Sequence, residues 1–372
     1  MATRQRRGDR TVGYAVIGLG HIAQVAVLPA FRHARENSRL SALVSGDSRK
    51  RKALGQQYGV PAFRYEDLDD VLARDDVDAV YIALPNTLHE ECAIRAARAG
   101  VHVLTEKPMA TSEEACRRMI DAADEHDVRL MVAYRLHFDP ANLETVALLR
   151  SGRIGEPRFF TSEFSYQVKA GNIRTDASMG GGAIWDLGPY CVNAARYLFG
   201  AEPTEVFALE AAARDERFRG VPEGWTVVLR FPDERLATFT CSFGAAPTGA
   251  YRVVGSKGDV RLDPAYEYVG SLVRHLTIGE KTTVKKYPAS DQFAPELVEL
   301  SRCALEGRDP EPDGWEGLAD VRIIEAALRS AREHAPVRID PVERRRRPTA
   351  AQARHRPPGE APEPVDAESP DR

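Results

Sequence analysis

Cysteine is scarce: five in 372 residues, at Cys92, Cys116, Cys191, Cys241 and Cys303, with no C-x-x-C pair among them. This excludes a disulfide framework and a thiolate zinc site, and predicts buried free thiols in a reducing compartment. Nine histidines provide no H-E-x-x-H or comparable ligand spacing, so no metal is expected. No apolar run approaches the roughly 18–20 residues of a membrane span, which argues against a membrane protein. A formal net charge of −4 gives no basic excess for nucleic acid. The basic start, Met1 to Arg7, runs through Gly8-Asp9-Arg10 into a strand with no apolar signal segment, so the expected location is cytoplasmic. An enzyme of small molecules fits these exclusions.

What is present is globular: 43% hydrophobic and 28% charged residues, and enough length for two domains. Tyr14-Ala15-Val16-Ile17 reads as a strand and is followed by Gly18-Leu19-Gly20-His21-Ile22-Ala23 and a helical stretch to Arg35. In a G-x-G-x-x-A turn between strand and helix, Gly18 allows the tight turn and Gly20 lets a pyrophosphate approach the backbone. Ala23 lets the helix pack closely, and the helix start offers free N–H groups to phosphate. The second strand, Leu40 to Val44, ends in Ser45-Gly46-Asp47-Ser48-Arg49-Lys50. An NAD site usually carries a carboxylate where Ser45 stands; Ser45 and Lys50 instead suit a 2′-phosphate, predicting NADP, with NAD possible. Strands alternating with helices continue through Ala79–Leu84, after which Pro85 and Asn86 lie at a strand end and should border a nicotinamide.

The centre of the pattern is Glu106-Lys107-Pro108, at the carboxyl end of the strand around Val101–Leu104. Open α/β sheets put their ligands there, a proline would stiffen the backbone, and burial is expected to lower the lysine pKa. Leu130–Ala133 reads as the last strand of this domain, placing Tyr134 and Arg135 at an interdomain crevice. From Pro157 onward, short strands without intervening helices predict a mainly antiparallel sheet. Within it, Gly180-Gly181-Gly182 leads into a helical stretch carrying Asp186 and Tyr190, four apart and so on one helix face. A carboxylate can grip a sugar hydroxyl, and a phenol can exchange a proton with an alcohol or carbonyl oxygen. Arg174 is a further substrate-contact candidate. Two late helices, Gln292–Glu306 and Trp315–Glu333, read as structural. The tail beyond Pro341, with Arg344 to Arg347 and a Pro/Glu/Ala-rich run, should be too polar to order itself.

G-L-G-H-I-A, then L-P-N-T-L-H, then E-K-P, in this order and spacing, resemble the Gfo/Idh/MocA family over roughly residues 12 to 340. S-G-D-S-R-K and Y-R-L-H-F-D-P resemble its glucose-fructose oxidoreductase branch. The resemblance implies an α/β fold: an N-terminal Rossmann doubly wound parallel sheet (1–134), then an α+β domain (135–342) with a large, mainly antiparallel open sheet. The tail, 343–372, follows as the segment expected to be disordered. It implies a homo-oligomer, dimer or tetramer, packed through that sheet. It also makes Lys107 a catalytic residue, often with a cis bond to the following proline, and gives Tyr190 where many members carry His.

The implied activity is an NADP-dependent oxidoreductase of CH–OH groups in aldose-type sugars or polyols. Lys107 would position the reacting oxygen, Tyr190 exchange the proton and Asp186 orient the sugar, with Tyr134 and Arg174 as further substrate contacts. Cofactor contacts are expected from Gly18, Leu19, Gly20, His21, Ile22, Ser45, Gly46, Lys50, Leu84, Pro85, Asn86, His89, Glu106, Lys107 and Arg135. Branch enzymes that retain NADP carry an export signal and an N-terminal arm; with about ten residues before its first strand, this chain is expected to exchange its cofactor. Two alternatives stand: a glucose-fructose oxidoreductase-like enzyme with non-exchanging NADP, and a non-catalytic cofactor-sensing regulator.

Overall fold

The computed structural model of the chain describes residues 11–212, 215–344 and 346–371. Strands β1 (Val12–Ile17), β2 (Ser38–Val44), β3 (Ala62–Phe63), β4 (Ala79–Ile82), β5 (His102–Thr105) and β6 (Leu130–Val132) form a parallel sheet in the order 3-2-1-4-5-6. β1 and β4 are wholly buried, as continuous apolar runs covered on both faces should be. The order reverses between β1 and β4, so the carboxyl ends of these strands open onto the crevice where doubly wound sheets bind ligands.

The helix after β1 is irregular. Ala23–Val27 is π-helical, Leu28–Ala30 α-helical and Phe31–His33 3₁₀. Pro29 has no N–H to give to the carbonyl four residues back, so the regular ladder cannot run through the stretch.

β7 (Pro157–Ser165), β8 (Glu205–Ala211), β9 (Gly224–Arg230), β10 (Leu236–Ser242), β11 (Thr248–Gly255), β12 (Gly258–Leu262), β13 (Leu272–Ile278), β14 (Lys281–Tyr287) and β15 (Val337–Arg338) form the second sheet. Its order is 14-13-12-11-7-10-9-8-15. Every pairing is antiparallel except β7 with β10. One face packs Phe160, Val227 and Phe239 into the core, while Phe159, Leu209 and Leu236 on the other are about half exposed. β13 and β14 escape the sequence reading because β14, Lys-Thr-Thr-Val-Lys-Lys-Tyr, is a lysine-rich edge strand without apolar alternation.

Two features depart from the expected domain plan. The helix Ala294–Glu306, assigned to the second unit, packs on the first sheet: its Leu297, Val298 and Leu300 share a core with Val12, Tyr14 and Val16, and Tyr14 Oη donates to the Leu297 carbonyl at 2.9 Å. The tail, expected to be disordered, lies along the body. Arg196 is fully buried against three acids, Glu202, Glu316 and Asp320, and Arg344 and Arg347 bring further cations to Glu316 (2.8 Å) and Glu202 (2.9 Å). A buried carboxylate left unpaired costs several kcal/mol, about 3–5 when one partner of such a pair is removed. Arg344 and Arg347 are therefore held by acids whose burial no local composition reveals. Beyond it, Gln352 donates to the Glu311 carbonyl at 3.3 Å and Arg354 N–H to the Phe138 carbonyl at 3.0 Å.

Candidate active site

A cleft of about 610 Å³ lies between the two sheets, at the carboxyl ends of β1, β4 and β5. Of the expected residues, Gly18, Leu19, Gly20, His21, Ile22, Ser45, Lys50, Leu84, Pro85, Asn86, Glu106, Lys107, Arg135, Arg174, Asp186 and Tyr190 all line it. Gly46 does not; it packs against the Tyr65 ring between two residues that do.

The turn after β1 is built for close approach. Gly18 has φ +93°, and a Cβ there would stand 2.3 Å from the Ala83 carbonyl oxygen. At Gly20 a Cβ would meet no protein atom within 4 Å and would project into open space, so this position keeps a cradle clear for a phosphate group. The residues present therefore fit a dinucleotide. At the end of β2, Asp47 caps the helix Ser48–Tyr58, its carboxylate accepting from the Arg49 and Lys50 N–H groups at 2.8 and 3.2 Å. These backbone bonds, that of Lys50 foremost, hold its pKa below the usual value. With Asp47 engaged in capping, Ser45 and Lys50 are what this end of the cleft presents.

At the floor, the Lys107–Pro108 bond is cis, and the Lys107 ammonium pairs with Asp186. Nζ donates to Asp186 Oδ1 and to the Asp186 carbonyl, both at 2.8 Å. Asp186 Oδ2 accepts from Tyr166 Oη at 2.8 Å and Arg174 Nε at 2.9 Å. Three donors occupy most of the acceptor capacity of this carboxylate, and through them Asp186 anchors two cations. Burial opposes ionisation of Asp186, but Lys107 and Arg174 outweigh it and its pKa falls far below normal. The lysine shift is opposite to the expected one. Burial does pull the Lys107 pKa down, but Asp186, Tyr190 and Glu106 together more than reverse this, and the net shift is upward. Glu106 beside it accepts from Tyr81 Oη at 2.8 Å; burial pushes its pKa up despite Lys107.

Asp186 and Tyr190 do not share one helix. Ala183–Asp186 ends and Gly188–Phe199 begins across Leu187, because Pro189 lacks the N–H that would continue the ladder. Both still line the cleft. The half-buried Tyr190 ring has the Lys107 ammonium and the Arg135 guanidinium each 4.9 Å from its centroid, and packs edge-on against Phe164. Arg135 is 4% exposed; it is tied to Gln292 and to the Tyr266 carbonyl and also lies over Tyr268.

Two expected contacts lie elsewhere. Tyr134 is 6% exposed, stacks on His137 and belongs to the core, because the 3₁₀ turn Arg135–His137 sends Arg135 and not Tyr134 into the cleft. His89 is fully buried, its Nε2 2.9 Å from the Leu84 carbonyl and its Nδ1 3.0 Å from that of Pro108. Burial lowers its pKa, so the neutral ring donates to one carbonyl at a time and ties the Leu84 and Pro108 loops together. The sequence reading missed Tyr166, which has no motif around it, and the steric role of Gly180, which it named only as part of the lead-in to the helix. Gly180, at φ +74°, packs so closely that a Cβ would stand 2.8 Å from Thr111 and 2.9 Å from Asn86, and Asn86 Nδ2 donates to its carbonyl at 2.8 Å.

Residues 12–134 match the oxidoreductase family with an NAD-binding Rossmann fold, and residues 143–261 match the GFO/IDH/MocA C-terminal domain. A D-xylose 1-dehydrogenase [NADP(+)] of Haloarcula marismortui is 33% identical over 90% of this chain and 95% of its own. The crystal structure of an aldose-aldose oxidoreductase from Caulobacter crescentus, complexed with glycerol, superposes with TM-score 0.84 at 39% identity, covering 89% of this chain and all of that one. KijD10, a 3-ketoreductase from Actinomadura kijaniata in complex with NADP and TDP-benzene, superposes with TM-score 0.80 at 30% identity, covering 86% and 98%. With both halves of its sequence and its whole architecture matched, this chain belongs to the GFO/IDH/MocA oxidoreductase family.

Proposed function

We propose that the chain is an NADP-dependent dehydrogenase of aldose-type sugars or related polyols, with Lys107 and Tyr190 acting at the reacting oxygen. The observation that carries this reading is the meeting of Lys107, Asp186 and Tyr190 on the floor of a cleft whose wall is the Gly18–Ile22 turn. NADP is supported by Ser45 and Lys50 at the end of β2 and by the NADP named for the similar enzymes. Bound NADP would supply the acceptor for the hydride leaving the sugar carbon. Lys107, fixed by Asp186, donates a hydrogen bond to the sugar oxygen and orients it. In reduction Tyr190 gives its phenol proton to the carbonyl oxygen and becomes the phenolate; in oxidation the phenolate takes the hydroxyl proton back. Charge developing on the phenol oxygen is stabilised by the two cations against its ring, in a site where water screens little. Tyr166 and Arg174 keep Asp186 ionised and aimed.

The nearest second reading is supported by the aldose-aldose oxidoreductase similarity: NADP stays bound and hydride passes from one sugar to another. The exposed Phe159, Leu209 and Leu236 on one sheet face support a homo-oligomer through that face. Five buried free cysteines support a reducing compartment, hence the cytoplasm; among the described residues no helix is long and apolar enough to cross a membrane. The test is a screen of aldoses and polyols with NADP and NAD. Turnover of an aldose with NADP preferred is expected. Tight NADP binding without turnover of any sugar would favour a cofactor-sensing regulator instead.

A further inference from the structure

Residues 365–371 cross the mouth of the cleft and touch both of its sides. On the nucleotide side, Val365 and the Gln24 side chain hydrogen-bond reciprocally: Val365 N–H donates to Oε1 at 2.7 Å and Nε2 donates to the Val365 carbonyl at 3.0 Å. Gln24 is 1% exposed and sits just behind the Gly18–Ile22 turn, its Nε2 also reaching the Leu19 carbonyl at 2.9 Å. Asp366 pairs with Arg49 at 2.9 Å, next to Lys50. A few residues on, the Lys169 N–H donates to the Pro370 carbonyl at 2.9 Å, and Asp371 forms an antiparallel bridge with Val168, in the loop that follows β7. Ser369, Pro370 and Asp371 themselves line the cleft, facing the same space as Gly18, Gly20 and His21. Asp371 is near enough to His21 to bear on its charge.

We propose that residues 365–371 form a strap over the cofactor mouth and set the rate at which NADP enters and leaves. The inference rests on the reading of the cleft as the NADP site. The anchors determine the mode of action. One end is tied to the first sheet's helix and the other to the second sheet's loop, so a dinucleotide cannot pass without releasing one of them. The cleft beneath keeps about 610 Å³ with the strap in place, ample for a bound ligand, so the strap covers the site and does not fill it. A cover slows entry and exit together, whereas an acidic plug competing for the phosphate cations would weaken binding without slowing release.

The experiment compares the full chain with a variant ending at Pro358, which retains Arg344, Arg347, Gln352, Arg354 and Arg356 and their contacts. NADPH association and displacement by excess NADP are followed by stopped-flow fluorescence. Both rate constants should rise by about tenfold, a barrier change of about 1.4 kcal/mol, while Kd moves less than either. A rise below about threefold in both would overturn the strap, and so would tighter binding with an unchanged release rate. In the full-length chain, Val365→Pro removes the N–H given to Gln24 and should speed release in the same direction, which keeps the test decisive where the truncated chain misfolds. NADPH failing to bind the full chain would sink the reading of the site itself. NADPH binding at rates that neither change alters would sink the strap alone.

Discussion

Lys107 Nζ donates to both the carboxylate and the backbone carbonyl of Asp186, 79 residues along the chain, at 2.8 Å each. One contact thus joins the carboxyl end of β5 to the helix pair that follows the glycine loop, and it fixes the ammonium that faces Tyr190.

Asp186→Asn should therefore act on the chemical step through Lys107, and not only on sugar affinity. A charge-assisted hydrogen bond is worth about 1.5–3 kcal/mol, so kcat should fall on the order of 10- to 100-fold with NADPH affinity nearly unchanged. Lys107→Met, which keeps volume and removes charge, should fall at least as far. Steady-state kinetics with fluorescence titration of NADPH check both. A rise in KM with kcat intact would return Asp186 to a sugar contact.

Cofactor choice should turn on the end of β2. Ser45→Asp with Lys50→Ala puts a carboxylate where the 2′-phosphate would lie and removes a cation, so the ratio of kcat/KM for NADP to that for NAD should fall by tenfold or more, about 1.4 kcal/mol. A wild-type enzyme that already prefers NAD would contradict this account of the turn.

Stability should carry a pH signature from His137. Its Nδ1 lies 3.0 Å from Glu311 and its Nε2 2.7 Å from Asn193, fully buried. Burial pulls its pKa down, but Glu311 outweighs this and the folded value is raised. A raised folded pKa means stabilisation that is complete below the unfolded value of about 6.5 and is lost as pH climbs through the folded value. Urea unfolding of the wild type should thus lose stability above about pH 6.5, and His137→Gln should flatten that slope. Equal slopes in the two proteins would show that the pair does not titrate as described.

The Rossmann half was legible because its signals are local: Gly18, Gly20 and Ala23 sit in a turn whose steric needs the sequence states, and buried parallel strands are short apolar runs. Lys107, Asp186 and Tyr190 were legible from their motifs, but their wiring was not. That Asp186 would be held by Tyr166 and Arg174, that Lys107 would be shifted up and not down, and that Tyr134 would face inward all depend on packing between distant segments. The tail misled for the same reason: Arg344 and Arg347 look solvated until the buried Glu316 and Glu202 are placed beside them.

The central claim is that Tyr190 carries the proton, and Tyr190→Phe tests it most directly, since it removes only the oxygen and keeps the ring packed between Phe164 and the two cations. Measured on the best aldose from the screen, kcat should fall by roughly 10²–10⁴-fold while NADPH binding stays unchanged. A Tyr190→Phe enzyme with wild-type kcat and an unaltered pH profile would contradict the account, because the proton would then be passing through another group.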